Sequence, residues 1–400
     1  MLDAYIYMGL RTPFGRHGGA LARVRPDDLL AGVVKEVVAR SGFGVESIDD
    51  VSIGCASQAG EDSRNVARHA LLLAGLPVET PGCVHNRLCG SGLNAVVGAA
   101  HAITCGEADI CVAGGVESMS RAPFVVGKAE QAFAKDFRVF DSALGARFPN
   151  PKIESLYGAD TMAQTADNLA RDHQLSREDC DVFALASQQK FATAAGDGFF
   201  NSEIHPVSIP QRKGKPDLTV SEDEHPRPET TMDTLLKLRP IYPEGVTTAG
   251  NASGINDGAA ALVIASRDAG DKAGVQPLAR IVASAVAGVP PRIMGFGPVP
   301  ASGKALERAG LLLKDMDVIE INEAFAAQVL ACLKGLGLPF DDSRVNPNGG
   351  AIAVGHPLGA SGAHLALTAM RQLHRTGGRY ALVSMCIGVG QGIAVVLERM

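Results

Sequence analysis

None of the eight cysteines stands in a CxxC pair, so no zinc site is expected. No basic stretch exceeds a few residues and the net charge is −6, which argues against nucleic acid as a partner. No unbroken apolar run reaches the ~18 residues a membrane helix needs, so no membrane partner is expected. The opening MLDAYIYMGLRTPFG lacks the charged and apolar regions of a secretory leader. The closing ERM is neither a retention nor a peroxisomal address. The expected compartment is therefore the reducing cytoplasm, where disulfides are not expected. There is no low-complexity tract and no long linker. P-loop and nicotinamide fingerprints are missing too, since the GVG at 388–390 lacks the rest of a dinucleotide motif.

What is plentiful is glycine, 46 of 400 residues, in short clusters without a collagen period. Such clusters suit tight turns between strands and helices. With 46% hydrophobic and 20% charged residues the chain is globular, and its length implies two or three domains.

An internal repeat organises the chain. LCGSGLNAVVGAAHAITCGEADICVAGGVE from Leu88 aligns without a gap to LGASGAHLALTAMRQLHRTGGRYALVSMCI from Leu358, at an offset of 270. Both read as a glycine turn, an amphipathic helix, a short loop and a buried strand. Leu93, Val96, Val97, Ala100 and Ile103 mark the first helix, with Gly106 as its stop. Ala366, Ala369, Met370 and Leu373 mark the second. A weaker match pairs IDDVSIGCASQAG (48–60) with MDVIEINEAFAAQ (316–328). The expectation is a duplicated α/β domain with sheets covered on both faces. The more charged, proline-richer stretch 121–249 reads as an insertion in the first half, with a helix at TADNLARDHQLSREDCDVFALASQQKFATAAGDG. The resulting division is 1–120 plus 250–272, then 121–249, then 273–400.

Four polar groups fall at turns of the two equivalent units. Cys89 opens the first repeat helix, whose N-terminus favours a thiolate. His356 occupies the position equivalent to Asn86, so the twofold relation can bring it to face Cys89, and a Cys–His pair activates a nucleophile. Cys386 ends what reads as the last apolar strand, beside the glycines of CIGVGQG. Asn322 and Glu323 end the strand of the weaker repeat. Taken singly, each has a structural alternative: a buried capping cysteine, a histidine held by a Gly–Pro turn, a core cysteine, a helix cap. Together, two thiols, an imidazole and an amide describe acyl transfer through a thioester. Glu117 is expected to tie the halves together.

The motifs NRLCGSG (86–92), GGVESMSRAP (114–123), TAGNASGINDGAAA (248–261), NEAFA (322–326), NPNGGAIAVGHPLGASG (346–362) and CIGVGQG (386–392) resemble the thiolase family. The resemblance implies two βαβαβαββ halves in a layered α-β-α-β-α core, with an inserted loop domain. It implies Cys89 as the acylated nucleophile and His356 as its base. Asn322, through a water, would help bind the enolate oxygen, and Cys386 would serve the substrate's α-carbon. The N–H groups of Cys89 and Gly388 would form an oxyanion hole. Arg227, Ser253, Ala252 and Met162 match positions near coenzyme A, and Phe325 matches a wall of the acyl pocket. Coenzyme A enters as a substrate, with no other cofactor and no metal implied. Dimers, often paired into tetramers, are the implied assembly.

Within the family, GCASQAGEDSRNVARHA (54–70), SRAPFVVGKA (120–129) and DEHPRPETT (223–231) resemble the branch acting on 3-oxoadipyl-CoA. Thr161-Met162 stands where acetoacetyl-CoA thiolases commonly carry His-Met, which favours a longer acyl chain. The alternatives are an acetyl-CoA acetyltransferase or a general 3-ketoacyl-CoA thiolase. A distal carboxylate needs a cationic partner when buried, and Arg147 and Arg64 are candidates, each with surface location as its alternative. A decarboxylating ketoacyl synthase would lack the second thiol. A non-catalytic acyl-CoA binder would have lost Cys89 or His356.

Overall fold

The computed structural model describes residues 2–135, 137–212 and 214–400. The first half supplies β1 (Ala4–Arg11), β2 (Gly15–Arg16), α1 (Pro26–Ser41), β3 (Asp50–Gly54), α2 (Val66–Ala74), β4 (Gly82–His85), α3 (Ser91–Cys105) and β5 (Ile110–Ser118). An excursion follows, with β6 (Phe124–Val126), β7 (Val139–Asp141), α4 (Pro151–Tyr157), α5 (Met162–Asp172), α6 (Arg177–Gly196), β8 (Val207–Ile209), β9 (Leu218–Val220) and α7 (Met232–Leu236). The core resumes with β10 (Asn256–Ala265) and α8 (Arg267–Ala273). The second half holds β11 (Ala279–Gly288), α9 (Pro298–Ala309), β12 (Val318–Ile321), α10 (Ala326–Leu336), α11 (Ala351–Val354), α12 (Leu358–Thr376), β13 (Tyr380–Ile387) and β14 (Gln391–Arg399).

The duplication is visible in the strand order. One path runs β12-β13-β14-β11-β1-β10-β5-β3-β4. Outward from the β1–β11 junction, β10, β5 and β3 on one side match β14, β13 and β12 on the other. Each side has the same pairing, with β5–β10 and β13–β14 antiparallel and β3–β5 and β12–β13 parallel. Strands β5 and β10 are buried along their whole length, which fits their apolar and small-residue runs 110–116 and 258–265.

Three apolar clusters hold five layers together. The repeat helices α3 and α12 lie between the two half-sheets, where Leu93, Val96, Ile103, Leu367 and Met370 meet Leu262 and Val395. Helices α1 and α2 cover the outer face of the first half through Leu30, Val33, Val37 and Leu71. Helices α9 and α10 cover the second through Ala305, Val329 and Leu330. The layered α/β fold is the one the family resemblance implies.

The two central helices approach so closely that only glycine fits. A Cβ on Gly92 would lie 2.3 Å from the Gly359 carbonyl oxygen, and one on Gly362 would lie 2.3 Å from the Leu93 nitrogen. The stretch Leu88–Cys105, which contains α3, is long and apolar enough by composition to cross a membrane. Its average hydropathy reaches that level although polar residues interrupt the run, and in the fold it is a buried central helix.

The excursion leaves and re-enters the core at neighbouring residues, since Ser118 at the end of β5 pairs with Asp257 at the start of β10. A buried ion cluster fastens it down. Arg11 on β1 donates from Nε to Glu203 at 2.6 Å and from Nη1 and Nη2 to Asp223 at 2.6 and 2.8 Å. The single helix expected over 165–198 is two, α5 and α6. Gln174 between them is left-handed (φ 53°), and Ser176 starts α6 with a capping box to Asp179.

Candidate active site

Cys89 sits in the turn between β4 and α3. Leu88 before it is left-handed (φ 46°), and Gly90 caps the helix. Ser91 closes the turn, accepting the Arg87 N–H at 2.9 Å and donating to the Leu88 carbonyl at 2.6 Å. The residue keeps some accessible surface, yet the protein around the thiol is dense. Burial pushes it up to about 11, while the N–H groups of Gly388 and of Cys89 itself pull down and Glu117 pushes up. Loss of water outweighs the helix N-terminus that was expected to favour the thiolate.

Gly388 follows β13. Val389 and Gly390 after it are both left-handed (φ 64° and 86°), and this turn aims the Gly388 N–H at the Cys89 sulfur. A Cβ on Gly390 would lie 2.2 Å from the Val289 carbonyl oxygen, so the turn needs glycine there. The turn leads into β14, so Cys386 lies on the penultimate strand and not, as expected, on the last. Its side chain is buried against Met294, Ala324 and Phe325. Burial, with Cys89 adding, holds its thiol well above the ordinary range. At neutral pH both thiols keep their protons.

His356 is buried between α11 and α12. Its N–H donates to Asn256 Oδ1 at 2.9 Å, and Asn256 Nδ2 donates to the Gly15 carbonyl at 3.0 Å. The ring nitrogen Nδ1 is 2.6 Å from Ser361 Oγ, whose single proton goes to the Pro357 carbonyl at 3.0 Å. With the Ser361 proton assigned to that carbonyl, Ser361 accepts, so Nδ1 carries the ring proton and Nε2 keeps its lone pair. Asn322 Nδ2 donates to that Nε2 at 3.4 Å. Burial pulls the imidazole down to about 4, so it is a neutral acceptor at pH 7. Asn322 lies just past β12, and two and three residues on, Ala324 and Phe325 pack against Cys386.

Two glutamates have structural partners. Glu117 accepts the N–H groups of Ala56, Ser57 and Gly359, each at 2.9 Å, and so joins the first half to the start of α12. Burial still pushes it up to about 7. Glu323 accepts from Ser187 Oγ at 2.6 Å, Asn346 Nδ2 at 2.8 Å and the Ile352 N–H at 3.1 Å.

Two family models match the chain. Residues 4–268 match the thiolase N-terminal domain and residues 275–399 match the thiolase C-terminal domain. The chain belongs to the thiolase family. It is 57% identical to a beta-ketoadipyl-CoA thiolase of Acinetobacter baylyi, with both chains covered completely. It is 58% identical, again over both full lengths, to a 3-oxoadipyl-CoA/3-oxo-5,6-dehydrosuberyl-CoA thiolase of Escherichia coli. The crystal structure of human mitochondrial 3-ketoacyl-CoA thiolase in complex with CoA superimposes with a TM-score of 0.92 at 43% identity. It covers 100% of this chain and 98% of that one.

Of the other residues singled out for this thiolase, Ala252, Ser253, Phe325 and Met162 lie around the same turns and the three arginines lie apart from them. Ala252 bridges to Phe325, and the Ser253 N–H donates to the Ala324 carbonyl at 2.9 Å, so 252–253 lie along the NEAFA loop. Met162 starts α5, and its sulfur would be 3.8 Å from a Cβ on Gly388. Arg227 lines a separate pocket of about 240 Å³ with His225, Thr230, Leu235 and Gly250. Arg147 is half-buried and donates from Nη2 to the Ser57 carbonyl at 2.9 Å. Arg64 is exposed with a left-handed backbone (φ 68°).

Sequence reasoning missed Ser361 and Asn256, the two groups that hold His356. For Ser361 a signal existed, because the repeat aligns it with Ser91, and both serines tie the turn before their helix. Asn256 carried none, since it reaches His356 only through the pairing of β10 beside the turn at Gly15.

Proposed function

We propose that the chain cleaves 3-oxoadipyl-CoA with coenzyme A to succinyl-CoA and acetyl-CoA, through an acyl-cysteine on Cys89. The observation that carries this reading is the second thiol, with Cys386 close enough to Cys89 for Cys89 to raise its cost of ionising and with both protonated. A decarboxylating synthase has no use for that second thiol. The full-length likeness to thiolases named for the six-carbon dicarboxylic substrate supports the choice of acyl group.

Cys89 gives its proton to His356 Nε2 and attacks the 3-keto carbon. The bond between carbons 2 and 3 then breaks, leaving a succinyl group on Cys89 and the enolate of acetyl-CoA. An enolate leaves readily only when its oxygen is hydrogen-bonded and its carbon is protonated. His356, now protonated at Nε2, serves the oxygen with Asn322, and the Cys386 thiol donates its proton to carbon 2. Acetyl-CoA departs. The Cys386 thiolate takes the proton of incoming coenzyme A, whose sulfur attacks the thioester. The N–H groups of Cys89 and Gly388 hold the oxyanion of that step. Succinyl-CoA leaves, and the Cys89 thiolate recovers its proton from His356. Run backwards, the same groups perform condensation.

Coenzyme A lies along Met162, Ala252, Ser253 and Arg227, and Phe325 walls the acyl group. Arg147 reads the distal carboxylate. It has no carboxylate partner among the described residues and is held beside Ser57, in the loop that Glu117 anchors. The enzyme works in the cytoplasm as a dimer of dimers. Exposed apolar side chains of the excursion, Phe124, Leu144 and Leu156 among them, support an assembly. The division into 1–120 with 250–272, 121–249 and 273–400 follows the duplicated strand order.

The test compares kcat/KM for 3-oxoadipyl-CoA, acetoacetyl-CoA and a medium-chain 3-oxoacyl-CoA. A strong preference for the dicarboxylic substrate is expected, and Arg147→Ala should cut that preference about tenfold or more. Preference for an uncharged substrate overturns the choice of acyl group alone. An unchanged ratio in Arg147→Ala removes Arg147 as the reader.

A further inference from the structure

A second, narrow cavity of about 10 Å³ lies against the His356 assembly, close to the space one water molecule occupies. Asn322 and Ser361, the two side-chain partners of the imidazole, form part of its wall. Glu320 on β12 and His364 and Thr368 on α12 complete the polar lining, and Phe191 and Phe200 from the excursion close it. Ser361, His364 and Thr368 lie three and four residues apart in succession, so they share one face of α12.

Glu320, His364 and Thr368 are 1%, 6% and 3% exposed. Each has a polar atom without a hydrogen-bond partner among the described residues, namely Glu320 Oε1, Thr368 Oγ1 and His364 Nε2, the last 3.7 Å from Glu203 Oε1. Buried polar atoms are rarely left unpaired, and a small polar cavity with several such groups is a site for ordered water. The three do not satisfy one another directly but line one space. Burial, with Glu323 and Glu203 adding and Lys190 opposing, holds Glu320 well above the usual carboxylate range. Burial therefore favours its protonated form, which can donate.

We propose that this cavity is a water site and that Glu320 acts through the water as a positioning residue for Asn322 and the His356–Ser361 pair. This rests on the thiolase reading of His356. The hydrogen-bond count closes. The Glu320 O–H donates to the water, and the water donates to His364 Nε2 and to Asn322 Oδ1. Thr368 supplies a further hydroxyl. An Asn322 whose oxygen is held on the cavity side must turn its Nδ2 toward His356 Nε2. That orientation keeps Nε2 as the unprotonated ring nitrogen, and the Asn322 N–H that sits on its lone pair at 3.4 Å yields to the Cys89 proton and turns to the enolate oxygen. Without the water the amide is free to flip.

The test uses Glu320→Gln, which keeps a neutral hydrogen-bonding group, and Glu320→Leu, which does not. Glu320→Gln should keep kcat within about threefold. Glu320→Leu should lower kcat tenfold or more while KM for both substrates stays within about twofold. Equal losses in the two variants, or wild-type kcat in Glu320→Leu, would overturn the proposal. Should Glu320→Leu fail to fold, electron density in a high-resolution crystal structure of the wild-type enzyme decides. A water within hydrogen-bond distance of Glu320 and His364 supports it, and a dry cavity overturns it. Mass spectrometry of wild-type enzyme with acetyl-CoA tests the underlying reading separately, because no acetyl adduct on Cys89 would overturn both.

Discussion

Replacing Ser361 by alanine isolates the control of the His356 tautomer. The Ser361 hydroxyl has one proton, committed to the Pro357 carbonyl, so it holds the imidazole by accepting the Nδ1 proton at 2.6 Å. Ser361→Ala leaves a buried N–H without a partner, at a cost of about 1–3 kcal/mol to the tautomer with a free Nε2. The other tautomer, with its proton on Nε2, loses no such bond, so the reactive form forfeits its preference by that amount. At about 1.4 kcal/mol per decade, acylation of Cys89 should slow about 5- to 150-fold. The serine is 3% exposed behind the ring, so KM should move little. The assay is single-turnover acetylation of Cys89 by acetyl-CoA, with steady-state thiolysis beside it and the melting temperature as a control for folding. Acetylation within twofold of wild type would refute the argument that Ser361 fixes the tautomer.

Cys386→Ser should spare acetylation of Cys89 yet slow exchange of the acetyl-CoA α-proton for deuterium by about a hundredfold or more, and NMR of the exchanging methyl group follows it. His356 is lowered from 6.5 to about 4, so unfolded chains take up a proton that folded ones refuse as pH falls through this window. Stability should fall from pH 6.5 toward 4, with His356 contributing about 3 kcal/mol of that loss. Urea unfolding of His356→Asn should show the shallower decline. Glu117, raised to about 7, contributes with the opposite sign in both proteins and cancels in the difference. Gly92→Ala should destabilise by about 3 kcal/mol or more, because its methyl would meet the Gly359 carbonyl, a backbone atom that α12 cannot move alone. A melting temperature within a degree or two of wild type would contradict that packing.

The repeat made much of the fold legible. An offset of 270 residues placed α3 with β5 and α12 with β13, and it aligned His356 with Asn86. Local signals worked where they had local causes: Gly106 ends α3 because it adopts φ 75°, as a helix-ending glycine does. The break between α5 and α6 was missed because its cause, a left-handed Gln174, is not a residue that advertises a turn. Reading the site was harder where long-range pairing decides. Burial, invisible in a linear chain, sets the protonation of Cys89, Cys386 and His356. Glu320 looked like any strand residue beside Asn322 until α12 was laid across it.

The buried cluster around Arg11 has a consequence for how the excursion could be lost or exchanged. By chain tracing the segment is an appendage, since its ends are strand neighbours and a short loop could replace it. By charge it is not. Removing it takes away both Glu203 and Asp223 and leaves a fully buried guanidinium on β1 with no counter-ion. An uncompensated buried charge costs several kcal/mol, comparable to the net stability of many domains. A trimmed core would need Arg11 changed to an apolar residue in the same step. Core and excursion should therefore melt in one transition, and a lineage that shortened the loop would carry a matching substitution eight residues into the first strand.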